Sequence, residues 1–176
     1  MSIKTIHTDE SSYLHKKADT VTFPLTDDIK ELITDLKDTL QASSTAAGIA
    51  APQIGASDAI FVYRLNAEME PVVMINPTII KSADFGKPMY EMCLSYPNEI
   101  YEVVRAKRIV VRFFNEQGEH SILKYRGHEA TIIQHETDHL LGLTIKDKGE
   151  QVDPIIAARL LGLETEEDTN EKNEDY

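Results

Sequence analysis

One cysteine in 176 residues, Cys93, leaves this chain without an internal disulfide. The fold must therefore be held by buried apolar surface, and with 41% hydrophobic residues the chain has enough for the core of one domain. Cys93 itself is a small buried hydrophobe, a nucleophile or a metal ligand, and its surroundings in the sequence have to distinguish these.

The formal net charge of −12 argues against DNA or an anionic membrane as the main partner. Half of that charge sits in the last thirteen residues, ETEEDTNEKNEDY, with seven acids and one lysine. So little apolar surface cannot offset the entropy of ordering, so residues 164 to 176 are expected to be a disordered acidic tail beside one domain spanning 1 to 163. The first residues, MSIKTIHTDESSYLHKK, lack the apolar stretch of a signal peptide, and nowhere do enough apolar residues run together to span a membrane. A cytoplasmic protein is expected.

After Pro24, Ile29, Leu32, Ile33, Leu36 and Leu40 recur at helical spacing behind Thr26, a good cap, and Asp27 and Asp28, which suit a positive helix end. The helix should run to about Ala42. STAAGIAAPQIG then reads as a loop of small residues. Residues 59–64, 72–80 and 107–114 are β-branched and aromatic runs of strand length, the last turning through Asn115 to Gly118 into a hairpin partner at 121–125. A second helix from about His128 carries Ala130, Ile132, Ile133 and Leu140, with Gly142 placed to end it. A last helix starts at Asp153 with Pro154 in its first position and should bury Ile155, Ile156, Leu160 and Leu161. Strands clustered between helices predict an α+β domain with a central helix against a sheet.

That second helix contains His135, Glu136 and His139. Two histidines four residues apart project from one helix face and can share a metal ion, with the glutamate beside them to act on water. The bland alternative is two surface histidines beside a solvated acid. A hydrolytic site needs a third protein ligand and an open position. His139 is the last histidine, so a third downstream histidine is excluded, which leaves Glu150 or Glu164 downstream, or Cys93 upstream.

At this point the chain resembles the peptide deformylases. That family is marked by a Gly-x-Gly-x-Ala-Ala-Pro-Gln loop, a Glu-Gly-Cys-Leu-Ser segment and a helix carrying a motif that begins His-Glu and ends Asp-His. Here the three read AAGIAAPQ (46–53), EMCLS (91–95) and HETDH (135–139), in the family's order. Asn76 and Pro77, the VVR ending in Arg105, and Gly127, Ala130 and Gln134 extend the likeness over most of residues 1–150.

The resemblance implies small mixed or antiparallel sheets around a central helix that carries the His-Glu-x-x-His motif. It implies one divalent metal held by Cys93, His135 and His139, Fe(II) in the cell, with Zn, Ni or Co possible in purified protein. Glu136 would take a proton from the attacking water, and Gln53 with the backbone N–H of Leu94 would form the oxyanion hole. Gly48 and Ile49 would line the substrate cleft, with Glu91, Ile132 and His135 near a methionine pocket, and Arg105 would pair with Glu91 or Asp138. The substrate would be the formyl-methionyl N-terminus of a nascent peptide, released with formate. Ribosome docking through the acidic tail is not expected, because RNA would repel it. The runner-up readings are a zinc endopeptidase with a downstream glutamate ligand and a binding module for N-termini without turnover.

Four positions depart from the pattern: Ala46, Met92, His128 and Glu129. None is a ligand, base or oxyanion residue in the implied set, so chemistry should survive and substrate preference is where they would act. Met92 should not share the ion with Cys93, because neighbours in an extended chain point to opposite faces.

Overall fold

A computed structural model describes residues 2–8 and 11–162. The acidic tail predicted at 164–176 lies outside the described residues. Helix α1 spans Asp27–Ala42, and the Oγ1 of Thr26 accepts from the backbone N–H of Ile29, as the capping signal predicts. At its other end no lysine or arginine lies in the last turn. Arg64, 3% exposed, reaches in from a neighbouring segment and donates to the carbonyls of Leu40, which also accepts from the N–H of Ser43, and of Ser43 itself.

Five strands form one antiparallel sheet: β1 (Gly48–Ala50), β2 (Ile60–Tyr63), β3 (Val72–Phe85), β6 (Ala106–Phe114) and β7 (His120–Arg126), in spatial order β1-β2-β3-β6-β7. Three more, β4 (Met89–Cys93), β5 (Tyr96–Val103) and β8 (Gly149–Gln151), make a second antiparallel sheet in order β4-β5-β8. Helix α2 (Gly127–Leu140) lies against the larger sheet, so the expected central helix on antiparallel sheets is what the chain forms.

The all-apolar run of β2 has a simple cause. Phe61 and Tyr63 join the core under α2 with Met74, Val111, Ala130 and Ile133, while Ile60 and Val62 point the other way and join Leu36 and Leu40 of α1. A strand covered on both faces loses the polar alternation that a half-exposed strand shows.

Gly142 follows α2 with φ +73°, the left-handed position expected of a glycine that ends a helix. Its Cα also packs on the backbone of Lys16, 2.8 Å from where a Cβ would stand, so any side chain there would collide with main chain.

Two expectations need correction, and four elements went unannounced by the sequence. The segment STAAGIAAPQIG is not all loop: it holds β1 and a 3-10 turn at Ala51–Ile54. Small residues without alternation hide a strand whose role is close packing. The strands β4, β5 and β8 and the short helix α3 (Ile145–Lys148) had no clear apolar period to announce them. The last helix, α4 (Pro154–Leu161), begins as expected with Asp153 capping Ile155 and Ile156, but it buries Ala157, while Ile155 is 67% exposed and Ile156 and Leu160 about half exposed. Periodicity identified the helix and could not say which of its faces the sheet would meet.

Candidate metal centre

Cys93 ends β4, where a bulge between Glu91 and Cys93 precedes the tight turn of Leu94 and Ser95 into β5. His135 and His139 stand one helical turn apart on α2, their ring centroids 5.1 Å from each other. The Sγ of Cys93 lies 3.3 Å from Nε2 of His139, and one donor atom from each of Cys93, His135 and His139 falls within 4.8 Å of the others. Two sequence-distant segments thus bring a cysteine sulfur and two imidazoles to one point, a donor set suited to a divalent transition metal with a further position open.

The histidine rings are not oriented by the site alone. Nδ1 of His135 lies 2.9 Å from Oε2 of Glu91, whose carboxylate also accepts from Nε and Nη2 of Arg105 at 2.8 and 3.0 Å. Nη1 of the same guanidinium donates to Asp138, and Lys148 approaches the other oxygen of Asp138 at 3.5 Å. The sequence left Arg105 a choice between Glu91 and Asp138; the fold gives it both. Burial alone would raise the pKa of Glu91, but hydrogen bonds from His135 and Arg105 outweigh it and hold the carboxyl at about 2. Burial pulls His139 well below the usual imidazole range. On His135 the same burial is outweighed by Cys93 and Glu91, which hold it well above that range.

Glu136 is 4% exposed, and burial pushes its pKa up to about 7. Its Oε2 has no hydrogen-bond partner among the described residues, nor has the buried Nδ1 of His139. A buried carboxylate oxygen without a partner is costly, so its retention next to three convergent donors fits a site built to receive an ion and a water. Gly48 makes room for it: a Cβ there would stand 2.5 Å from Oε1 of Glu136.

Gln53 is 2% exposed in the 3-10 turn. Its Oε1 accepts from the backbone N–H of Ala50 at 2.9 Å, which fixes the amide so that Nε2 points to Cys93 Sγ at 3.4 Å and Ser95 Oγ at 3.2 Å. Ser95 was present in the cysteine motif but had no assigned part; its contact with Gln53 arises only when β4 meets the 3-10 turn.

A cleft of about 570 Å³ runs past these groups, with Gly48, Gln53, Glu91, Leu94, Ile132 and Glu136 among its walls. Ile49 is a correction: its side chain is fully buried against α1, because strand alternation sends it away from Gly48, and only its backbone lies along this edge. Met92 is 59% exposed and lines the cleft, while Cys93 beside it is buried, as the alternation predicts. Neither Met92 nor Ala46 has positive φ, so both fit without backbone strain. His128 is an exposed residue at the cleft rim, and Glu129 accepts a hydrogen bond from the hydroxyl of Tyr63 at 2.9 Å.

No helix among the described residues is long and apolar enough to cross a membrane. The polypeptide deformylase family model matches residues 3–154. The chain is 38% identical to a peptide deformylase of Natranaerobius thermophilus over 152 residues, 86% of this chain and 96% of that one. The crystal structure of peptide deformylase from Thermotoga maritima superposes with a TM-score of 0.78 at 32% identity, covering 85% of this chain and 99% of that one. A Met-Ala-Ser-bound class I type b peptide deformylase from Acinetobacter baumannii gives a TM-score of 0.77 at 29% identity over 84% and 99% of the two chains. A match that spans most of the chain, with the cysteine and the two helix histidines brought to one point, establishes that the chain belongs to the peptide deformylase family.

Proposed function

We propose that this chain hydrolyses the N-formyl group from formyl-methionine at the N-termini of nascent polypeptides in the cytoplasm, with Cys93, His135 and His139 holding one Fe(II) ion. The observation that carries the reading is the unpartnered, buried Glu136 carboxylate beside three convergent metal donors in an open cleft. When bound, the ion supplies Lewis-acid polarisation of the formyl carbonyl and lowers the pKa of water.

The protein's own groups do the rest. Glu136, with a pKa near neutrality, takes a proton from the attacking water and returns it to the leaving amine. Gln53 Nε2 and the N–H of Leu94 donate to the oxyanion as it develops, Gln53 exchanging one of its present contacts for the new one. Glu91 holds His135, and Ile132 offers an apolar wall beside it for a methionine side chain. Gly48 and Ile49 present their backbone along β1, an edge strand of the larger sheet where a peptide can lie. The Met-Ala-Ser peptide bound to the Acinetobacter relative supports an N-terminal peptide as ligand. We assign the catalytic domain to residues 1–163 and give the tail no part in catalysis or in ribosome docking.

The endopeptidase reading needs a downstream glutamate ligand. Glu150 is exposed on β8, and Glu164 lies outside the described residues.

Formate release from a formyl-methionyl peptide by the iron- or nickel-loaded chain tests the proposal. Glu136→Gln should keep its metal and lose at least about a hundredfold in turnover, and Cys93→Ala should lose the metal. Near-normal turnover in the first or full metal content with activity in the second would overturn it. Faster inactivation of the iron form than the nickel form in air would identify iron as the labile working metal.

A further inference from the structure

The 3-10 turn that carries Gln53 does not satisfy the carbonyl of that residue from within. Gly55 and Ala56, which follow it, donate their N–H groups to Pro52 and Ala51 at 3.2 and 3.0 Å, passing the carbonyl of Gln53 by. The N–H of His7 donates to it instead, at 2.7 Å. Gln53 is 2% exposed, and a buried carbonyl needs such a partner.

His7 is delivered by a segment that forms neither helix nor strand. That segment is hung on the second half of α1. The N–H of Ser2 donates to Oδ2 of Asp38 at 2.9 Å, the N–H of Lys4 donates to Oγ1 of Thr39 at 3.0 Å, and Nζ of Lys4 pairs with Asp35 at 3.0 Å. Ile6 packs on the core cluster that contains Leu36 and Leu40. The imidazole of His7 rests on Gly55, its Nε2 2.7 Å from where a Cβ would stand, with the ring of Tyr13 beside it at 5.7 Å between centroids. Gly55, at φ +82°, both closes the turn and lets the ring approach.

We propose that residues 2–8 are a positioning strap for the oxyanion donor, with His7 acting on Gln53 through its backbone N–H. The proposal rests on the oxyanion part assigned above to Gln53. At rest the Gln53 amide is held at both ends, Oε1 by the N–H of Ala50 and Nε2 by Cys93 and Ser95. When Nε2 exchanges one of those contacts for the oxyanion, the hold on Oε1 comes from Ala50, the residue that opens the same turn. The placement of the turn then decides where Nε2 stands. A four-residue 3-10 turn has poor hydrogen-bond geometry of its own, so a contact from outside is what can fix it. His7 ties it to α1, and a donor to a developing charge gains its effect from being fixed in advance.

Two measurements on the full chain test this: formate release by the nickel-loaded protein, and the mobility of the Gln53 side-chain amide by nuclear magnetic resonance of the diamagnetic zinc-loaded protein. His7→Pro removes the donor. It should lower kcat about tenfold, leave KM within about twofold and metal content complete, and turn the Gln53 amide from rigid to mobile. His7→Ala, which keeps the N–H and loses only the ring, should recover most of that kcat. Gln53→Ala should itself be slower by about a hundredfold, and in that background His7→Pro should cost less than about a further twofold, because the donor it positions is gone. A segment that only stabilised the fold would cost the same factor in both backgrounds. Deletion of residues 2–5, which frees the strap from α1 and keeps Ile6 and His7, should show the same non-additive loss and serves if His7→Pro does not fold. Equal losses in the two backgrounds, a Gln53 amide that stays rigid without the donor, or no recovery in His7→Ala would each overturn the strap. Full kcat in Gln53→Ala would overturn the oxyanion assignment and the strap with it. An amide that loosens as expected in a chain that releases no formate would leave the strap standing and overturn the hydrolytic reading.

Discussion

Glu91 reaches Nδ1 of His135 at 2.9 Å while its two oxygens are gripped by Arg105, so a residue on β4 fixes the ring of a candidate metal ligand on α2. A carboxylate behind a ligating histidine orients the ring and raises its basicity. Glu91→Gln keeps the shape but removes the charge, and we expect metal affinity to fall about 10- to 100-fold. Competition with a chromogenic chelator measures this. Unchanged affinity would mean that Arg105 alone positions β4.

The same carboxylate should make stability acid-sensitive. Its pKa is depressed to about 2 in the fold against an ordinary 4.5, so its contribution is complete above about pH 4.5 and is lost as pH falls toward 2. Denaturant unfolding of the unaltered chain and of Glu91→Gln should therefore differ most near neutral pH, draw together as pH falls below about 4.5 and converge only at about pH 2. Arg105→Ala strands both Glu91 and Asp138 as buried charges and should destabilise by about 3–5 kcal/mol. A loss of under about 1 kcal/mol would show that the network is solvated.

Gly48→Ala places a methyl 2.5 Å from the Glu136 carboxylate, and because Gly48 does not have positive φ the conflict is one of space alone. We expect kcat to drop at least tenfold, since a misplaced base is costly, with metal content unchanged. A drop in KM effects alone, with kcat intact, would mean that Glu136 moves aside without consequence.

Met92 is exposed on the cleft wall in an unstrained backbone, so its flexible thioether acts through space and not through φ. Met92→Gly should leave metal affinity unaltered and change kcat/KM selectively according to the residues that follow formyl-methionine. A panel of formylated tripeptides varied at the second and third positions measures it. A uniform change for every peptide would place the effect in the ligand loop instead.

Local sequence sufficed for α1, with its cap at Thr26, for the β6–β7 hairpin, and for the helix that sets His135 and His139 on one face, because capping, strand composition and helical spacing act within a few residues. The family motifs likewise singled out Cys93, Gln53 and Glu136, though only the fold could bring them to one place. Spacing alone left the third ligand open among Cys93, Glu150 and Glu164. Strand pairing decided what local pattern could not: that Cys93 at the end of β4 meets α2, that Arg105 serves both Glu91 and Asp138, and that Ser95 reaches Gln53. It also turned Ile49 into the α1 core and left Ile155 and Leu160 exposed, against expectation. These outcomes share one physical cause. Periodicity specifies which residues share a face of an element, whereas the neighbour that covers that face is chosen by contacts between segments far apart in the chain.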